Sequence, residues 1–220
     1  MPAFQAAATL DTVIGRVRAI LPQAAVLVVD DGSTDETGAI AVHASGLVIR
    51  HARNAGKGAA LATGIARALD EGAEAIVTLD ADGQHPPDAL PLLLAELAPG
   101  AVDLVLGARA RSGGMPVPRR FTNWISATIA GRIAGTAVPD AQTGLRAFTR
   151  RLAADVTPRI VRYTRYEYEA AFLLAALRAG YGVRSVTIPT IYDGQPSHFR
   201  SVADGWRVAR VFARYLLGAS

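Results

Sequence analysis

With 220 residues, half of them hydrophobic, the chain can bury one sizeable core, and a single domain spanning 1–220 is the expectation. The absence of cysteine excludes disulfides and thiolate metal sites, so any metal must be held by oxygen or imidazole ligands. The net charge of +4 conceals a division: residues 1–108 hold 6 Lys+Arg against 13 Asp+Glu (−7), and residues 109–220 hold 17 against 6 (+11).

The first half is thus suited to holding a cation and the second to facing phosphates or acidic lipid headgroups. No nucleic-acid-binding motif accompanies the basic half, which argues against a nucleic-acid surface. Charges cut every apolar stretch, as Arg132 cuts the run from Phe121 to Val138, below the ~18 uncharged residues of a membrane span. The opening Met1-Pro2-Ala3-Phe4-Gln5 carries no basic segment followed by an apolar one, so no secretory signal is expected.

Val26-Leu27-Val28-Val29 reads as a buried parallel strand opening into the polar loop Asp30-Asp31-Gly32-Ser33. Ser33 or Thr34 offers a cap for the next helix, and Asp35 and Glu36 suit its first turn. Leu47-Val48-Ile49 gives a second strand, and Asn54-Ala55-Gly56-Lys57-Gly58 leads into an alanine-rich helix from Ala59 to Glu71. Ala75-Ile76-Val77-Thr78-Leu79 forms a third strand that stops at Asp80-Ala81-Asp82-Gly83, and Pro86-Pro87-Asp88 starts a helix through Leu97. Leu104-Val105-Leu106 is a fourth strand.

Residues 109–120, with two glycines, two prolines and four arginines, read as a loop with few apolar anchors that orders on binding. Beyond it, Phe121 to Gly135 and Tyr166 to Arg178 read as helices, Ser185 to Ile191 as a strand, and Val202 to Leu217 as a terminal helix with Arg207, Arg210 and Arg214 at helical spacing. Strands alternating with helices predict an α/β fold, a mostly parallel sheet with its site at the strand C-termini.

Two carboxylates two residues apart at a strand end, Asp80 and Asp82, are placed to approach a hard divalent cation together, with Gln84 adding a neutral oxygen. Asp30 and Asp31 end the neighbouring strand, where a carboxylate accepts hydrogen bonds from a nucleobase or a ribose; with Asp35 and Glu36 covering the helix start, both are expected to be free for a ligand. Asn54-Ala55-Gly56-Lys57-Gly58 lacks the spacing and the hydroxyl residue of a phosphate loop, which excludes a nucleoside triphosphatase. It reads either as a tight turn before a helix or as a direct ligand contact by Lys57. His43 and His51 have no supporting motif.

In this order, these motifs resemble the family-2 glycosyltransferases of GT-A fold over nearly the whole chain. Asp80-Ala81-Asp82-Gly83-Gln84-His85-Pro86 resembles the branch that makes polyprenol-phosphate sugars, joined by Gly107-Ala108-Arg109, Asp140-Ala141-Gln142-Thr143-Gly144-Leu145-Arg146, Tyr166-Glu167-Tyr168-Glu169 and Ser197-His198-Phe199-Arg200. The resemblance implies a Rossmann-like sheet and an inverting transfer from a UDP- or GDP-linked sugar to a polyprenyl phosphate, at the cytoplasmic face of a membrane with peripheral contact. By position it implies that Asp30 and Asp31 contact the nucleoside and that Asp80, Asp82 and Gln84 surround Mg²⁺ or Mn²⁺. Arg109 and Arg119 grip the acceptor phosphate, and Asn123 falls where the branch often has a serine; Pro2, Ala3 and Lys57 are candidates for the donor side, and His198 either touches the diphosphate or closes the site as a lid.

The family opens with a strand and then Pro-Ala-x-Asn-Glu, whereas Pro2-Ala3-Phe4 is followed here by Gln5-Ala6. Met1 directly precedes Pro2, so the first strand is expected to be missing, with the native start upstream. A sugar hydroxyl as acceptor would require a base, for which Asp140 and Glu169 are the candidates; both read equally as structural, paired with nearby arginines. A transferase acting on a glycan, or a non-catalytic nucleotide-sugar binding module, are the alternatives.

Overall fold

The computed structural model describes residues 1–109, 131, 140–189 and 201–216. Three strands, β1 (Pro2–Ala3), β2 (Leu27–Asp30) and β3 (Leu47–Arg50), form one parallel sheet in the order β1-β2-β3. Four more, β4 (Ala75–Thr78), β5 (Leu104–Arg109), β6 (Arg146–Thr149) and β7 (Val183–Ile188), form a second in the order β4-β6-β5-β7. In it β6 runs antiparallel to both neighbours while β5 and β7 are parallel. The expected mostly parallel α/β arrangement is therefore present, divided between two sheets, with β6 as the reversed strand of the second.

The first strand is not missing. Pro2 and Ala3 register with Val29 and Asp30, and Val29 N–H donates to Met1 O at 2.9 Å, so a two-residue strand occupies the edge of β2.

Helices cover the sheets. α1 (Leu10–Ile20) is not among the predicted elements, yet its buried Leu10, Val13, Ile14 and Val17 follow the i, i+3, i+4, i+7 pattern of one helical face. α2 (Thr37–Ser45) and α3 (Lys57–Asp70) follow β2 and β3. The helix expected from Pro86 to Leu97 is shorter and divided: a 3₁₀ turn at Pro87–Ala89 precedes α4 (Leu90–Ala95), because Pro91 has no N–H to donate to the Pro87 carbonyl. The segment after the β5–β6 connection adds β6 and α5 (Arg150–Val156), neither of them predicted; Thr149 caps α5 by accepting from Leu152 N–H at 3.3 Å.

α6 (Glu167–Arg178) is buried from Glu167 to Ala176 on every face, which is why its sequence lacks a polar stripe. Phe172 packs on Phe148 of β6 with ring centroids 4.9 Å apart, and α7 (Ser201–Leu216) closes that side with Val208, Val211 and Phe212. Each such side chain contributes about 1.5–3 kcal/mol through burial. Of the expected loop at 109–120, Arg109 instead ends β5, and residues 110–120, the Phe121–Gly135 helix apart from Gly131, Asn123 and His198 lie outside the described residues.

Candidate active site

The polar ends of β2 and β4 face the start of α3, and four carboxylates follow from those ends. Asp30 closes β2 fully buried; its Oδ1 accepts from Ser33 N–H at 2.9 Å and its Oδ2 pairs with Arg50 Nε at 3.2 Å. Asp31 accepts from Ala55 N–H at 2.9 Å and Gly56 N–H at 2.8 Å, and its Oδ1 lies 2.7 Å from His51 Nδ1. Asp31 therefore fastens the end of β2 to the loop that starts α3, while Asp30 is held by the turn after β2 and by Arg50 at the end of β3.

Asp35 does take the helix-start duty, accepting from Thr37 N–H at 3.1 Å and Ala7 N–H at 3.2 Å. Ser33 and Thr34 do not cap α2. Their hydroxyls bond Gln5, whose N–H donates to Ser33 Oγ at 3.0 Å and whose side chain donates to Thr34 Oγ1 at 3.2 Å.

Lys57 is the first residue of α3, and its ammonium turns toward β4. Nζ lies 2.8 Å from Asp80 Oδ1, 2.9 Å from Asp80 Oδ2 and 2.7 Å from Glu169 Oε1 in the first turn of α6, with the Tyr166 ring centroid 5.7 Å away. Burial works against the charge, but Asp80 and then Glu169 outweigh it and raise the Lys57 pKa above the usual lysine range. The glycine-permitted turn before the helix is present, with Gly56 at φ 105° and Lys57 opening α3; the ammonium adds an ion-pair bridge between two strand-and-helix ends.

The far side of Asp80 is closed by backbone. The turn before β6 is hung between two strands: Thr78 Oγ1 donates to Gly144 O at 2.9 Å, and Thr143 Oγ1 donates to Gly107 O at 2.7 Å. This presses Gly144 so close to Asp80 that a Cβ there would sit 2.3 Å from Asp80 Oδ2, which only glycine avoids. Behind the turn, buried Arg146 donates to the carbonyls of Thr143, Glu169 and Ala141 at 2.9, 2.6 and 3.1 Å. A charge set among apolar residues, as in Leu145-Arg146-Ala147-Phe148, is the signal that marks it.

Asp82 is the exposed member, and its Oδ1 accepts from Gln84 N–H at 2.9 Å. Desolvation by the protein around its carboxyl, followed by repulsion from Asp80, raises its pKa. Two oxygen donors that repel one another suit a hard divalent cation, so the donor set fits such an ion at Asp82. The expected trio is nevertheless altered: both oxygens of Asp80 are engaged by Lys57, and Gln84 meets Asp82 through its backbone. Among the described residues, no group of three or more His, Asp or Glu side chains is arranged to hold a metal.

The two candidate bases face inward. Asp140 is 1% exposed and accepts from Gln142 N–H at 3.1 Å, and Glu169 is 5% exposed and held by Lys57. Pro2 and Ala3 lie on β1 beside Asp30, and Arg109 ends β5 opposite Ile188; the Arg109 side chain lies outside the described residues, as do Arg119 and His198. His51, which no motif singles out, holds Asp31 from one ring nitrogen and lies 3.1 Å from Thr63 Oγ1 by the other.

The chain is 32% identical over 202 residues to the polyprenol monophosphomannose synthase of Mycolicibacterium smegmatis, covering 86% of this chain and 74% of that protein. It is 31% identical over 188 residues to the UDP-N-acetylglucosamine--dolichyl-phosphate N-acetylglucosaminyltransferase of Methanococcus voltae, covering 76% and 74%. The fold matches glucosyl-3-phosphoglycerate synthase from Mycobacterium tuberculosis bound to phosphoglyceric acid, at TM-score 0.74 and 18% identity over 97% of this chain and 77% of that one. The same enzyme with Mn²⁺ and UDP-glucose matches at TM-score 0.69 and 21% identity, over 99% and 76%. Residues 1–157 match the family described as Glycosyl transferase family 2, a span that takes in Asp30, Asp31, Lys57, Asp80, Asp82 and Gly144, and the chain belongs to that family.

Proposed function

We propose that this protein is an inverting hexosyltransferase that moves a sugar from a nucleotide diphosphate to a polyprenyl phosphate. The observation that carries this reading is the division among its carboxylates: Asp82 is exposed, whereas Asp140 and Glu169 are buried and bonded inward. A hydroxyl acceptor needs a base to take its proton, and neither candidate is placed to serve. A phosphate oxygen is already ionised at neutral pH and needs only alignment for attack. The names of the M. smegmatis and M. voltae relatives support the same acceptor class.

In the reaction, the acceptor's phosphate oxygen forms a bond to the anomeric carbon from the face opposite the leaving group. The bond from that carbon to the diphosphate breaks, and its electron pair leaves on the diphosphate oxygen. Asp82, with Asp80 behind it, would hold Mg²⁺ or Mn²⁺, which when bound supplies positive charge to the departing diphosphate. Asp31 keeps the loop before α3 closed beside the donor, Asp30 and Asp31 mark the nucleoside end of the site, and residues 109–220 form the acceptor half, with Arg109 and Arg119 aligning the acceptor phosphate through forked hydrogen bonds. His198 joins the donor side.

A lipid-linked acceptor places the protein against a membrane surface. No helix among the described residues is long and apolar enough to cross a bilayer. α7 instead presents Trp206, 68% exposed, together with the exposed Arg210 and Arg214.

The test is a product assay with UDP- and GDP-sugars in the presence of Mn²⁺, offering undecaprenyl phosphate or a hydroxyl acceptor such as an alkyl glycoside. The expected result is an acid-labile sugar phosphate lipid from the former alone, lost in Asp82→Ala. Transfer to the glycoside alone would overturn the reading.

A further inference from the structure

Lys57, Asp80 and Glu169 place three charges in a largely buried setting, where such groups cost more to desolvate than a packed apolar set of the same size. Stability alone does not account for them. Their geometry shows what they do. One ammonium spans both oxygens of a single carboxylate at 2.8 and 2.9 Å, which opposes rotation of the Asp80 carboxyl group, and Gly144 lies so close to that carboxylate that no Cβ would fit between them.

The lysine is itself located at both ends. Its backbone follows Gly56, whose N–H is bound by Asp31 at 2.8 Å, and its ammonium is held by Glu169 at 2.7 Å. The side chain is therefore a strut between the carboxylate ends of β2 and β4. Without Glu169, an ammonium on a four-carbon stem keeps a single partner and regains its rotamers. Among the described residues, the Glu169 carboxylate reaches the strand ends through Lys57.

On the transferase reading above, we propose that Glu169 is a positioning residue for sugar transfer, holding Lys57 so that Asp80 stays fixed behind Asp82. The ion pair sets the placement of the donor diphosphate, and its loss lowers the rate of transfer more than it weakens the fold.

The experiment measures kcat, donor KM and thermal midpoint for the full-length protein and for Glu169→Gln, Lys57→Met and the double variant. Glu169→Gln is expected to lower kcat at least tenfold while remaining folded at the assay temperature. Lys57→Met leaves two carboxylates without their cation and lowers the midpoint furthest. The double variant removes one of those carboxylates' charges, so its midpoint recovers relative to Lys57→Met while its kcat stays at least tenfold below wild type. A kcat in Glu169→Gln within twofold of wild type, or a kcat in the double variant that recovers in step with its midpoint, would overturn the proposal. A wild-type protein that transfers no sugar would instead remove the transferase reading on which the proposal rests.

Discussion

Gly144 shows how much the site depends on one missing atom. Its carbonyl is fixed by Thr78 Oγ1 and its α-carbon faces the Asp80 carboxylate, so the turn cannot retreat to make room for a methyl group. Gly144→Ala is expected to displace Asp80 from Lys57, to cost about 1–3 kcal/mol in urea unfolding as overpacked interiors do, and to reduce transfer at least tenfold. Unchanged transfer in a folded Gly144→Ala protein would show that Asp80 tolerates displacement. At this scale the sequence discloses types and positions but not pairings. The strand-end aspartates are legible because each follows an apolar run; that Asp31 would be absorbed by Ala55, Gly56 and His51 is not, since backbone N–H donors leave no mark in a sequence.

Among the elements, α7 has two faces of opposite character. Val208, Val211 and Phe212 pack on the core, while Trp206, Arg210 and Arg214 face outward; Arg207 is paired with Asp204 at 2.8 Å. An aromatic side chain beside exposed cations is the composition that favours a headgroup layer, with each basic residue near an acidic bilayer contributing roughly 1 kcal/mol. Sedimentation with phosphatidylglycerol vesicles at low salt is expected to pull down the wild type and to fail for Trp206→Ala/Arg210→Glu/Arg214→Glu; equal sedimentation of both would remove α7 from the contact. The arginine spacing makes this helix readable in advance. β6 and α5 are not, because Arg146-Ala147-Phe148-Thr149 is buried at every position and so carries no alternation, and the sole polar start signal, Thr149, serves as strand end and helix cap together.

For the whole molecule, acid sensitivity follows from Asp103, which ties β5 to β6 and α5. Burial opposes its charge, but hydrogen bonds from Arg151 at 2.7 Å and Thr149 Oγ1 at 2.9 Å prevail and hold its pKa below the ordinary carboxylate value. A depressed folded pKa means stability that is present above the unfolded value of about 3.9 and lost as pH falls through the folded one. Asp103→Asn is therefore expected to lower the melting temperature near neutral pH and to flatten its decline below about pH 4; parallel melting curves across that range would assign the acid loss elsewhere. The overall architecture is legible because parallel strands and their helices alternate along the chain. Its reversed strand is not, since direction is settled by partners distant in sequence. α6 is buried on every face from Glu167 to Ala176, and Glu169 stands on its first turn. That carboxylate is rooted in the interior, so displacing it would require unpacking the helix that carries it.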